Sequence, residues 1–485
     1  MKHLPALLLV LVTIVRLWAA AVLPITPTEA YQWMCADRLD WAFFDAPGGT
    51  AALVHVGSLL PGNSPLGLRL AFPLLAALAT FGIYRLGRAW FGSATALWAA
   101  VALNALPIFN TAAVHAGPEM PTLAFTALAL WLLVRALERG LPWWILSGLS
   151  LAAAVQFSYA SLALIPGIFL AITLTPRYRG QWRRPGLYFL VLFAAGGVAK
   201  ALLWNQANHW PATALGTWRT EFTPQWTEIL PALASSIGQV SLPAAAVAVF
   251  ALVQIVRAAR IHTRPRLLAC LLAPFLLLWL RDIMHGDSAT LPLLPVILLL
   301  ATAATNLVLE AKRLHRIGAI ALVLTAATIA FPFSRPGTPW NRVADAINPL
   351  FTEIQSEYPF PLFVIAPDPE ATAALSYYLS RSPNGETREV FLRESQDLSN
   401  QFGLWPRYDD FVPVKKAPDE YFQELKAQNL YLGHSALYLT DEEPTDLPQT
   451  ITSAFARVTP RATLSLPGNR KLRVYLCEDY QTMPL

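Results

Sequence analysis

Residues 176–210 read PRYRGQWRRPGLYFLVLFAAGGVAKALLWNQANHW. Arg177, Arg179, Arg183 and Arg184 crowd the first nine positions. An apolar run over 186–204 follows, and a polar and aromatic segment without Arg or Lys closes the stretch. About 20 apolar residues span a bilayer, and cationic residues collect on the cytoplasmic side of such spans. The stretch is therefore one membrane crossing with its basic end in the cytoplasm. The same alternation recurs along the chain. Arg85 and Arg88, Arg135 and Arg139, Arg257 to Arg266, and Lys312, Arg313 and Arg316 form the other clusters, and the intervening loops carry almost no positive charge.

Working outward, candidate spans fall at 4–24, 66–84, 93–113, 119–137, 141–156, 159–175, 186–204, 234–256, 267–281, 289–309 and 315–333. About eleven helices with a cytoplasmic N-terminus leave the C-terminus outside. Leu4–Leu23 is read as an uncleaved first helix, because Arg16 interrupts it and it is long enough to span. The composition agrees. Only 14% of the 485 residues are charged and 55% are hydrophobic, against about 25% charged in soluble domains. The +5 net charge is explained by helix-end anchoring and points to no nucleic-acid partner. Cys35, Cys270 and Cys477 show no metal spacing, and a Cys35–Cys477 disulfide is left open.

The outside loops are 25–65, 114–118, the turn near 156–159, 205–233 and 282–288. Tyr31-Gln32-Trp33 and Leu39–Phe44 are too aromatic for a solvated linker and are expected as short interfacial helices. After about Pro332 no spanning segment remains. Apolar runs at 361–365, 390–392, 430–432, 436–440 and 473–476, with a helical stretch Glu370–Leu379, predict a soluble α/β domain. The chain thus divides into a transmembrane domain, 1–333, and an extracytoplasmic domain, 334–485. No inverted repeat of the transporter kind is found.

Ionisable groups at the outer boundary are the functional candidates. They are Glu29, Asp37, Arg38, Asp40 and Asp45 in the first outside loop, His115 and Glu119 at the second, Asn205 and His209 in the fourth, and Arg281, Asp282, His285 and Asp287 near the last. Glu119 also suits a helix N-terminus, where an acid is favourable without any further role. The Arg281–Asp287 group equally reads as surface ion pairs. Arg16, inside the first span, is expected to snorkel or pair with a carboxylate, with a phosphate as the other partner.

Several stretches, taken in order, resemble one family. Thr28-Glu29-Ala30-Tyr31-Gln32-Trp33, Asp45-Ala46-Pro47 and Arg69-Leu70 are similar to the first loop and second span of bacterial GT-C membrane glycosyltransferases. That family includes protein mannosyltransferases and the aminoarabinose transferase of lipid A. Gly117-Pro118-Glu119-Met120-Pro121, Trp204-Asn205 with His209-Trp210, Ser376–Leu379 and Asn400–Trp405 continue the resemblance over nearly the whole chain. Relative to the family's usual strings, Thr28 stands in place of Asp, Ala46 of His, Gly48 of Pro, Glu119 of Asp and Ser158 of Lys, before the retained Tyr159. Ser288 falls near the place of a late-loop His.

The resemblance implies a polytopic GT-C-like membrane protein with a C-terminal α/β domain in the bacterial inner membrane. It implies sugar transfer from a polyprenyl-phosphate donor to an extracytoplasmic acceptor of unknown kind, with membrane lipids as surroundings. Glu29, Glu119 and Asp45 are the implied catalytic acids. Glu29 and Glu119 are also the implied ligands should a divalent metal take part. Arg69, Tyr159, Asn205 and His209 are the implied substrate contacts. Two other readings remain: a non-catalytic protein that binds polyprenyl phosphate, and a transporter.

Overall fold

The structure, a computed structural model, describes residues 4–208, 226–240, 242–285, 340–355, 357–358, 361–380, 389–393, 402, 405, 433–443, 446–466 and 470–481. The expected spans at 289–309 and 315–333, the run at 430–432, and His209, Asp287 and Ser288 lie outside the described residues. The chain divides into two compact units. One comprises residues 1–23, 39–42 and 46–335, the other residues 24–38, 43–45 and 336–485.

The first unit is helical. α1 is Leu4–Val22. Within the second unit lies α2, Pro27–Asp37, and the first resumes with α3, Gly49–Ser58, α4, Pro65–Arg69, and α5, Ala71–Phe91. Then come α6, Ser93–Asn104, α7, Pro107–Val114, α8, Glu119–Arg139, α9, Leu141–Val155, and α10, Leu164–Leu174. The series ends with α11, Pro185–Ala207, α12, Ile229–Val240, α13, Leu242–Ala259, and α14, Thr263–Met284. Among the described residues four helices are long and apolar enough to cross a membrane: 65–91, 119–139, 185–207 and 263–284. Up to seven spans result when bent helix pairs are counted as one.

Three expected elements take a different form. The run 93–113 is broken into α6 and α7, which meet at 67°. Pro107 opens α7 and holds Leu106 in extended conformation (φ −79°, ψ 128°), as the residue before proline prefers. The run 234–256 divides into α12 and α13, with Pro243 in the first turn of α13. Leu39–Phe44 is not helical. Ala42 bridges back to Pro47, and Asp40 Oδ1 takes the Trp41 N–H at 2.6 Å, so the segment is a closed turn.

Small polar groups join the spans. The hydroxyls of Ser147 and Ser150 on α9 donate to the carbonyls of Ala129 and Phe125 on α8, at 2.9 and 2.8 Å. Inter-helix hydrogen bonds of this kind hold apolar helices together where burial in lipid gives little drive.

The second unit is built on a five-stranded sheet, order β2-β1-β3-β5-β4. The strands are β1, Phe363–Ala366, β2, Val390–Leu392, β3, Ala436–Thr440, β4, Phe455–Leu466, and β5, Arg470–Tyr480. β1 lies parallel to β2 and β3, and β5 runs antiparallel to β3 and β4. Side chains alternate between the faces. Val364, Ala366, Leu437, Leu439, Val474 and Leu476 join one core with α15, Trp340–Gln355, and α16, Pro369–Leu379. Phe363, Ile365, Tyr438, Tyr475 and Cys477 form the opposite core with Ile451, of the short helix α17, Gln449–Thr452, and with Phe455. The edge strand β4 accommodates Pro460 next to a bulge, a position where a missing N–H does no harm.

α2 belongs to this unit through α16. Tyr378 Oη accepts the Ile25 N–H at 2.8 Å and donates to the Ile25 carbonyl at 3.0 Å. Trp33 packs edge-on against Tyr377 at 5.5 Å between ring centroids. The Ser376–Leu379 string thus holds the segment that carries Glu29. Cys35 and Cys477 are both buried free thiols.

Candidate active site

In the first unit, α8 begins at Glu119 immediately after Gly117 and Pro118. The Glu119 carboxylate folds back over Gly117, where an added Cβ would collide with its Oε2. A side chain at Gly117 would push the acid out of this position. His115 lies within electrostatic reach of that carboxylate. Its Nδ1 faces the Thr111 carbonyl at 2.9 Å, and a carbonyl can only accept. Nδ1 is therefore the donor in this contact. The corner 115–119 thus presents an acid and an imidazole at the end of a span.

Arg69 is fully buried, and its Nη1 donates to the carbonyls of Ala20 and Leu23 at 3.1 and 2.7 Å. These are end-of-helix carbonyls of α1 without helical partners, and a guanidinium satisfies them well. Tyr159 is buried at the start of a 3-10 turn, Tyr159–Ala163. Asn205 is buried, and its Nδ2 donates to the Ala201 carbonyl one turn back at 3.0 Å.

Beside it, Trp204 Nε1 donates to Asp40 Oδ2 at 2.7 Å, tying the closed turn 39–42 to the end of α11. The same loop is fastened to α9. Gly49 N–H donates to the Gln156 carbonyl at 2.9 Å, and Gln156 Nε2 donates to the Gly197 carbonyl at 2.8 Å. A Cβ at Gly48 would stand 2.5 Å from the Asp40 carbonyl oxygen, which accounts for glycine at that place. Near the end of α14, Arg281 pairs with Asp282 at 2.8 Å, and His285 Nδ1 donates to the Arg281 carbonyl at 2.8 Å.

In the second unit, Glu29 is 1% exposed and closes a capping box at the start of α2. Its Oε2 accepts from the Thr26 N–H at 3.0 Å and from the Thr26 hydroxyl at 2.8 Å. Thr28, by contrast, is exposed. Asp45 Oδ1 accepts from Tyr31 Oη at 2.8 Å. Burial pushes the Asp45 carboxyl above its ordinary value, and the Tyr31 bond partly offsets the shift. Tyr31 also packs on Phe402 and Trp405, at 5.7 and 6.0 Å, and the Arg38 guanidinium lies 4.8 Å from the Trp405 ring centre. Asp45 thus bonds to a phenol that is itself packed against two aromatic rings, one of them capped by a guanidinium.

Among the described residues no three His, Cys, Asp or Glu side chains converge to hold a metal ion. Glu29, moreover, already has Oε2 committed to the cap.

A sequence profile of dolichyl-phosphate-mannose-protein mannosyltransferases matches residues 45–204. No curated protein sequence matches the chain. Among solved structures, ArnT from Cupriavidus metallidurans bound to undecaprenyl phosphate superposes with a TM-score of 0.67. The two are 14% identical, over 98% of either chain. The chain has the GT-C fold. Apo ArnT from the same organism superposes on this chain at 0.51, with 15% identity over 97% of either chain. The oligosaccharyltransferase of Archaeoglobus fulgidus, tethered to an acceptor peptide, gives 0.50 with 12% identity, over 91% of this chain and 69% of that one. The matched stretch 45–204 runs from Asp45 to Trp204, so the candidates Asp45, Arg69, His115, Glu119 and Tyr159 fall within it.

Sequence reasoning passed over Asn104 and Asn110. Both lie inside an apolar run, where polar groups are uncommon enough to mark a site. It also left unassigned the anchoring of Trp204 on Asp40, which no local pattern announces.

Proposed function

We propose that the protein transfers a sugar from a polyprenyl-phosphate donor to an acceptor outside the cytoplasm, as a multi-pass protein of the bacterial inner membrane. The observation that carries this reading is the superposition of nearly the whole chain on ArnT bound to undecaprenyl phosphate. The mannosyltransferase profile over 45–204 supports it independently. Carboxylates at the ends of apolar helices are suited to the chemistry. The bond from the sugar's anomeric carbon to the phosphate oxygen breaks, a bond to the acceptor oxygen forms, and a carboxylate takes the acceptor proton.

Glu119 is the first choice for that base, because Gly117 clears room for its carboxylate and His115 stands near it. Asp45 is the second, in its setting of Tyr31, Phe402 and Trp405. Glu29 holds the start of α2 and is assigned chemistry only after these. Asn205, Tyr159 and His209 remain proposed substrate contacts. Arg69 supports the site by fixing the end of α1.

The test uses purified protein in nanodiscs with radiolabelled polyprenyl-phosphate sugars and membrane acceptors. Donor consumption that falls by about 100-fold or more in Glu119→Gln, as expected for loss of a general base, with donor binding retained, supports the assignment. Consumption unchanged in Glu119→Gln removes Glu119 from the chemistry. Donor binding without consumption across several sugars supports the non-catalytic lipid-binding reading instead. Consumption abolished by EDTA and restored by a divalent cation would assign the carboxylates to a metal.

A further inference from the structure

Arg16 lies in the middle of α1 and is fully buried. It does not snorkel, and among the described residues it meets no carboxylate. Its Nη2 donates to Asn104 Oδ1 at 2.9 Å and to Asn110 Oδ1 at 2.5 Å, and its Nε donates to Asn110 Oδ1 at 3.2 Å. The guanidinium also lies 5.0 Å from the ring centre of Phe109. Its Nη1 has no hydrogen-bond partner among the described residues.

Both asparagines are held in one orientation by their own donors. Asn104 Nδ2 donates to Thr80 Oγ1 and the Ala100 carbonyl, at 3.1 and 2.8 Å. Asn110 Nδ2 donates to the carbonyls of Asn104 and Leu106, at 2.8 and 3.2 Å. With the amide nitrogens spent, the amide oxygens can only face the arginine. The carbonyls of Asn104 and Leu106 are those at the break between α6 and α7. Broken backbone at membrane depth must find its partners within the protein, and this network supplies them. One turn further along, Ala19 and Leu23 pack on Val114, the last residue of α7.

We propose that Arg16 is the positioning residue of the α7–α8 corner: by clamping α7 through Asn104 and Asn110, it sets where His115 and Glu119 stand. The proposal rests on the reading that Glu119 acts in sugar transfer. A cation that was needed only for packing would be matched by an apolar side chain. Three directed bonds that straddle a helix break, from Asn104 one residue before Ala105–Leu106 and from Asn110 four residues after it, fix a rotation and a depth instead. A displacement of about 1 Å at a reacting group lowers turnover by about 100-fold, so a clamp of this kind has a kinetic signature.

The experiment compares Arg16→Gln and Arg16→Lys with the wild type in nanodiscs, using Ser147→Ala as a control that loses a buried inter-helix bond elsewhere. Hydrogen exchange of residues 105–118 and the kinetics of donor consumption are both measured. Expected are faster exchange confined to 105–118 in both Arg16 variants, about 100-fold lower kcat, and a donor Kd within about two-fold of wild type. Lysine is not expected to rescue, because its single nitrogen has no counterpart to the Nε that also donates to Asn110 Oδ1 and lacks the rigid planar fork that fixes the direction of these bonds. Exchange at 105–118 that matches Ser147→Ala overturns the proposal, as does Arg16→Gln with wild-type kcat. If the wild type transfers no sugar at all, the transfer reading fails, and the exchange data alone decide whether Arg16 holds the corner. Should Arg16→Gln not fold, Asn110→Ala takes its place with the same expectations.

Discussion

Asp45 shows how a single side chain couples stability to chemistry. Its carboxyl is raised by burial, so the folded chain holds that proton more tightly than the unfolded chain does. The stability contributed by the protonated form is complete below the ordinary carboxylate range, about pH 3.9. It is lost as the pH climbs through the raised value. Asp45→Asn keeps an acceptor for Tyr31 and removes the charge. It is expected to raise the thermal midpoint at pH 7, by a free energy on the order of 1 kcal/mol, and to leave it unchanged below about pH 3.9. If Asp45 serves transfer, the same variant loses activity while gaining stability. Thr26→Ala removes the hydroxyl that completes the box with Glu29 and is expected to cost about 1 kcal/mol. Thermal unfolding followed by tryptophan fluorescence checks both. Glu29 also illustrates what a sequence conceals. An acid at an outer helix start reads equally as a base and as a cap, and only the position of Thr26 Oγ1 shows that its Oε2 is held by the cap.

At the scale of elements, helices were legible wherever apolar length decided them. α5, α8, α11 and α14 fall on expected spans because some twenty apolar residues in a row admit few other outcomes. The break between α6 and α7 was not expected, although Pro107 lies in plain view. Proline at the first turn is compatible with a helix start, so its presence alone does not tell a break from a kink. In the second unit, β1, β2, β3 and α16 were visible as short apolar runs. β4 was not, since its half-exposed edge positions carry alternating small and polar residues that resemble a loop. The contact of Ile25, just ahead of α2, with Tyr378 on α16 joins residues 353 positions apart, beyond the reach of any local pattern. Tyr378→Phe deletes both bonds to Ile25, whose backbone is buried. It is expected to destabilise the second unit by about 1–3 kcal/mol and to speed exchange across residues 25–37. Unchanged exchange there would show that the aromatic packing of Trp33 suffices.

For the molecule as a whole, the alternation of basic clusters with bare loops argues for a C-terminus outside the cytoplasm. A protease-sensitive tag placed after Leu485 is then expected to be cleaved in intact spheroplasts. A tag between Arg179 and Arg183 is expected to be protected until the membrane is opened. The reverse pattern would invert the topology and put Glu119 on the cytoplasmic face. The order of the motifs carried the fold further than any one of them, because each is short while their sequence along the chain is hard to reproduce by chance. The identity of the acceptor was not legible, for it depends on surfaces assembled from distant segments. The grouping of residues 24–38 with 336–485 bears on how such proteins can be recombined. A chimera that exchanges everything after Arg335 for a relative's sequence would strand Ile25 and Trp33 beside foreign tyrosines. A workable graft therefore has two pieces, an early peptide and a late domain, inherited together although three hundred residues of chain separate them.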